Sequence, residues 1–285
     1  MKSINKLEIP QSVQHYNRML DLYYRMGKPG QLLASFYDMD FPVPLFVGEE
    51  VLYVYPCTVG FSAYFGLLAT CLIEKKNLSG KIELIQMKYL DYLFWQYDNG
   101  KTQNISFLAE LLSYCLKLPI ANEKNQEGTI DLVKPVDGSS YISVCGRKID
   151  AVLFDELKKI IITQNDIECE PEDIHPDVLK RLKETQEFRR KKSKFRMCGI
   201  DDQISIVMLA TGLPKSDVIA MPIRTFNNIL DRNDLEIRYK LETALSPYMD
   251  KDSQSKIVHY MDDDKHDKYR ELMTDYDSIK KKIEG

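Results

Sequence analysis

A chain of 285 residues, 44% hydrophobic and 29% charged, is long enough for one large or two ordinary cores and has a globular protein's composition. Its net charge of −4 excludes a molecule-wide field for polyanions, so nucleic-acid binding would need a local basic patch. The six cysteines stand singly, without CxxC or paired spacing, which argues for reduced, mostly buried thiols and against a disulfide frame or a zinc site.

The first residues lack the apolar core of a signal peptide. Residues 11–26 place Val13, Tyr16, Leu20 and Tyr23 at helical spacing, and Gly27-Lys28-Pro29-Gly30 ends that helix. Residues 41–47 and 51–56 flank the turn Gly48-Glu49-Glu50 and predict a short hairpin, its prolines confining the first strand to an edge. The apolar stretch 51–73 is broken by Pro56, Gly60 and Gly66, so it reads as buried core and not as a membrane span.

Three helices are expected next: 59–76 with Thr58 as N-cap, 81–97, and 107–118 with Ser106 as cap. Their short connections imply an antiparallel bundle, with Trp95 as a core anchor. The polar run 121–128 is the expected boundary between a domain of residues 1–128 and one of residues 129–285. Residues 129–133 and 141–144 around Asp137-Gly138 predict a second hairpin, and Asp150 caps a helix with Leu153, Phe154, Leu157, Ile160 and Ile161 inward. Pro176 starts a long helix whose second half is strongly basic.

Residues 198–247 read as helix, tight turn, short helix and long helix. Asp201 can cap the first, Gly212 sits at its left-handed end, and the short helix stops before Pro222. Phe226, Ile229, Leu230 and Ile237 line the long helix. Residues 248–256 are a polar loop, and 265–283 form a last helix with Tyr269, Leu272 and Tyr276 as its apolar stripe. The expected fold is mainly α: helical bundle domains with two small β-hairpin elements.

Arg189, Arg190, Lys191, Lys192, Lys194 and Arg196 form the sharpest charge feature. They could lie along phosphates, contact a partner protein or serve as a solvated helix end. The helix after the turn at Gly212 has about one turn, too short to present several side chains to a groove. His259 and His266 flank Asp262-Asp263-Asp264, which reads as a negative cap on the final helix and not as a metal site. No GxSxG elbow, catalytic-cysteine signature or phosphate loop occurs, so no enzyme, metal or cofactor is expected.

The runs FDELKKIIITQNDI (154–167) and IDDQISIVMLATGLPKSDVIAMPIRTFNNILDR (200–232) resemble tail-region structural proteins of tailed bacteriophages infecting Firmicutes. The matching residues are Gln164-Asn165-Asp166, Asp202-Gln203, Thr211-Gly212 and Ile223-Arg224-x-Phe226, within residues 150–245. The resemblance implies a non-enzymatic tail-associated structural or chaperone-like assembly protein. It would act in the host cytoplasm, or in the virion, through contacts with other phage structural proteins or itself, without a membrane. The alternative is a nucleic-acid-binding regulator using residues 189–196. Candidate partner-binding residues are that basic run with Tyr269, Leu272 and Tyr276, because residues 264–285 are expected to dock loosely and stay available to a partner.

Overall fold

The computed structural model describes residues 2–3, 40–76, 81–120, 129–135, 138–169, 198–254 and 257–261, with helical positions 181, 184, 185 and 188. The fold is mainly α with two small sheets, as the periodicities predict. The helix expected over 11–26 lies outside the described residues, as do the 121–128 linker and the helix expected over 265–283.

The first sheet pairs β2 (Val43–Val47) antiparallel with β3 (Glu50–Val54), Leu45 facing Leu52, through a turn in which Gly48 takes φ +63°. Pro44 sits in β2, an edge strand that can spare the missing N–H. On the other side of β3 lies β1 (Lys2–Ser3), parallel, with Lys2 opposite Glu50; no sequence pattern announces it.

A 3-10 turn at Val59–Phe61 leads into α1 (Ser62–Ala69), and a second 3-10 turn follows at Thr70–Leu72. The helix expected over 59–76 is therefore a composite, and Thr58 caps nothing with its side chain. The helix expected over 81–97 is two helices, α2 (Ile82–Gln86) and α3 (Tyr89–Asp98), separated by extended Met87 and Lys88. In an unbroken helix Leu84 and Leu93 would point about 180° apart at roughly 100° per residue. The break lets both be buried. Trp95, expected as a core anchor, is half-buried and stacks on Tyr92 at 6.1 Å. Next comes α4 (Gln103–Leu116), which ends on left-handed Lys117 at φ 54° and packs on α1 and α3.

The second sheet joins β4 (Ile130–Val133) and β5 (Tyr141–Val144) as expected, and adds β6 (Arg147–Ile149) through a Cys145-Gly146 turn with both φ positive. Asp150 then caps α5 (Ala151–Gln164), its carboxylate accepting from the amides of Val152 and Leu153 at 3.1 and 2.9 Å. One hydrophobic core unites these parts: Leu45, Leu52, Leu68, Leu93, Leu108, Leu111 and Leu112 lie with Ile142, Phe154, Leu157 and Ile161. Residues on both sides of 121–128 thus share a core, and the expected division there separates nothing. The chain divides instead into units 1–227 and 228–285.

The C-terminal module has α6 (Ile200–Thr211), α7 (Lys215–Ala220) and α8 (Ile223–Leu245). Gly212 ends α6 in the left-handed region at φ +72°, its N–H donating to the Met208 carbonyl at 2.8 Å. The N-cap position is Gly199, so Asp201 lies in the first turn beside Asp202, where both carboxylates favour the helix dipole. The expected polar loop after residue 247 contains a 3-10 turn, Ser246–Tyr248, and α9 (Lys251–Gln254). Asp250 precedes α9, and hydrogen bonds from the Ser253 amide and hydroxyl hold its carboxyl below the usual range.

Candidate functional site

Leaving β3, the chain runs through Tyr55–Phe61 without a regular ladder, so its buried backbone groups need partners from elsewhere. Residues 165 and 221–223 supply several of them. Past the end of α5, the Asn165 side-chain oxygen accepts from the Cys57 amide at 2.6 Å, and its Nδ2 donates to the Ile161 carbonyl at 2.7 Å. Gln164 Nε2 donates to the carbonyls of Phe41 and Val54 at 2.8 and 3.1 Å, while Asp166 turns the chain at φ 52°.

From the module's side, extended Met221 accepts from the Val59 amide at 2.9 Å, and the Ile223 amide donates to the Cys57 carbonyl at 2.9 Å. Thr58 and Pro222 form the bridge between these bonds. Arg224 donates to the Thr163 carbonyl at 3.2 Å, Thr225 bonds the Asp40 carboxylate, and Phe226 is fully buried. Gly60 lies so close to Ile219 that a Cβ there would sit 2.6 Å from its Cγ2. Behind the segment, the Tyr114 hydroxyl accepts from the Thr58 amide at 3.3 Å, and its ring stacks on Phe61 at 4.0 Å.

This junction fastens the chain's own segments to one another. Burial pushes the Cys57 thiol up to about 12, and that of Cys71 equally, so neither is a thiolate nucleophile at neutral pH. Asn165, Arg224 and Gln164 Nε2 there bond backbone groups, while Thr225 bonds the Asp40 side chain. Among the described residues the buried side-chain atom left without a partner is Gln164 Oε1. The remaining matched residues also serve the chain path. Gln203 bonds the Cys198 carbonyl at 3.2 Å, and the Thr211 hydroxyl donates to the Val207 carbonyl at 2.7 Å.

The expected partner-binding residues Arg189, Arg190, Lys191, Lys192, Lys194, Arg196, Tyr269, Leu272 and Tyr276 all lie outside the described residues, as does His266. His259 uses its Nδ1 to accept from the Met261 amide at 3.1 Å and packs edge-on against Tyr239 at 4.7 Å. Among the described residues no three His, Cys, Asp or Glu side chains gather to hold a metal, and no helix is long and apolar enough to cross a membrane.

Of 23 residues in α8, Phe226 is the buried one. Ile237, expected along the helix's apolar face, is 58% exposed, Leu241 58%, Leu245 45%, and Tyr248 just beyond is 88% exposed. The opposite face is covered by the chain's own return. Arg232 donates to the Tyr260 carbonyl at 2.8 Å, and Tyr239 packs on His259 and Tyr260. The run Ile237, Leu241, Leu245 at four-residue spacing was the sequence signal for this stripe. Compared with protein-family models, curated proteins and solved structures, the chain shows no significant match to any of them.

Proposed function

We propose that this protein is a non-enzymatic assembly component acting through protein–protein contacts, as a tail-associated structural or tail-assembly protein of a bacteriophage. The observation that carries the class is the exposed apolar stripe of α8, continued by Tyr248, on a chain whose Cys57, Cys71 and Cys115 thiols are buried and whose Asn165 side chain bonds backbone groups. A stripe of this kind costs solubility unless something covers it, so it suits a protein whose working state is a complex. The particular assignment to phage tails rests on the sequence resemblance within residues 150–245.

The nucleic-acid alternative draws less support. In the helix-turn-helix-like module, the element at the recognition position is α7, six residues long, with Val218 buried and Ile219 against Gly60. Quantitative mass spectrometry of purified virions and of tail-assembly intermediates tests the tail reading, which expects the chain in at least one of them. Absence from both sinks it. A shift of a short DNA duplex at micromolar protein, lost steeply from low to moderate salt, would replace it with the regulator.

A further inference from the structure

We propose that α8 pairs with α8 of a second copy of this chain, antiparallel, about a two-fold axis that crosses the seam at the level of residue 239. At about 100° per residue, Ile237, Leu241 and Ala244 fall on one face with Leu230, while Tyr239 lies roughly 160° from that face's centre. The far face is the one that His259 and Tyr260 cover. The return of residues 257–261 therefore leaves the apolar stripe open, with Ile237, Leu241, Ala244, Leu245 and Tyr248 all exposed. From Leu230 to Tyr248 the stripe runs roughly 27 Å at about 1.5 Å per residue, the length of a short two-helix seam.

Charge decides both the occupant and its direction. Asp234 interrupts the apolar face and is 71% exposed, its carboxylate paired along the helix with Arg238 at 3.1 Å. A parallel pair would stack Asp234 on its own copy at the seam, a like-charge contact between carboxylates leaving water. The antiparallel pair removes that clash. It sets Asp234 beside Ala244 of the second copy, Ile237 beside Leu241 and Leu230 beside Tyr248. On one flank it also brings Glu236 of each helix near Lys240 of the other. These two residues already attract along one helix, at 2.6 Å, so each can share its charge across the pair. An arbitrary partner has no reason to match this order of apolar and charged positions; the helix matches itself. The inference does not depend on the tail reading, because a self-paired helix would serve a dimeric protein of any function.

Sedimentation equilibrium on the full chain, from roughly 1 to 100 µM, is the test. The intact protein is expected to run as a concentration-dependent dimer. Ile237→Glu with Leu241→Glu, both at exposed positions, should weaken dimerisation at least tenfold and leave the thermal midpoint in place. Glu236→Lys alone should weaken it by placing lysines together, and Glu236→Lys with Lys240→Glu should restore it. A monomer throughout the range overturns the proposal, as does a dimer indifferent to the double glutamate variant. If that variant instead lowers the thermal midpoint of a monomer, the stripe is covered by the chain's own residues and the proposal falls. Failure of the charge swap to restore dimerisation overturns the antiparallel arrangement.

Discussion

Asn165 is the residue on which the crossing of the chain turns. Its side chain satisfies the Cys57 amide and the Ile161 carbonyl at once, in a place water does not reach. Asn165→Ala leaves the Cys57 amide buried and unpaired, while the Ile161 carbonyl keeps the backbone amide of residue 165 as a donor at 3.2 Å, so about 1–3 kcal/mol of stability should be lost, measured by urea unfolding. A loss under about 0.5 kcal/mol would show that the junction relaxes and rebonds. The buried thiols give the residue scale a pH signature. Cys57 and Cys71 hold their protons up to about 12 in the folded chain against an ordinary value of 9.0, and burial also raises the Tyr89 phenol. A raised folded value means that the native state binds the proton more tightly. The contribution is therefore whole below about pH 9 and is lost as pH climbs from there through about 12. Urea midpoints should be flat from pH 7 to 9 and then fall, the fall being shallower in Cys71→Ala; an unchanged slope in that variant would remove the thiol from the account.

Elements show where sequence reading succeeds. The helices α4 and α5 repeat leucine and isoleucine at helical spacing, and each is found with its dense face buried. Both hairpins follow from a turn glycine between β-branched runs. The failures have physical causes. A local window over 81–97 cannot know that Leu84 and Leu93, about half a turn apart in an unbroken helix, must both be buried, so the extended break at Met87-Lys88 is invisible in it. Nor can it find β1, whose pairing is with residues 48 positions away, as Lys2 opposite Glu50 shows. The buried junction is equally non-local. Gln164-Asn165 reads as a polar helix end until Cys57 is brought to it. At the element scale, Gly60 tests how the module is held. Gly60→Ala drives a methyl into Ile219 and should cost about 1–3 kcal/mol, the usual range for overpacking. Adding Ile219→Ala removes the opposing Cγ2 and should recover part of that loss. If the double variant is no better than the sum of the singles, the contact is not what makes Gly60 necessary.

At the scale of the whole molecule, the polar 121–128 run misleads because composition marks a loop without saying whether the core continues beyond it. Leu108, Leu111 and Leu112 on one side of it pack in one cluster with Ile142, Phe154 and Leu157 on the other. A protease cut within 121–128 should therefore yield two pieces that co-elute as a folded complex and separate only in denaturant. Fragments 1–120 and 129–285 made apart should each show weak, non-cooperative unfolding and regain cooperativity on mixing. Two independently cooperative fragments would restore the boundary that the composition suggests.

The long reach of the junction also sets an order of events. Its bonds join residues 108, 110, 123 and 185 positions apart, so none can form until long loops have closed. A chain emerging from the ribosome holds the β2–β3 hairpin and α1 well before Asn165 exists, and Met221 and Ile223 later still. Through that interval the amide and carbonyl of Cys57 and the amide of Val59 lack their native partners. Contacts of such high sequence separation slow folding out of proportion to their number. The segment that fastens the finished molecule is thus the one its nascent chain must carry open for longest.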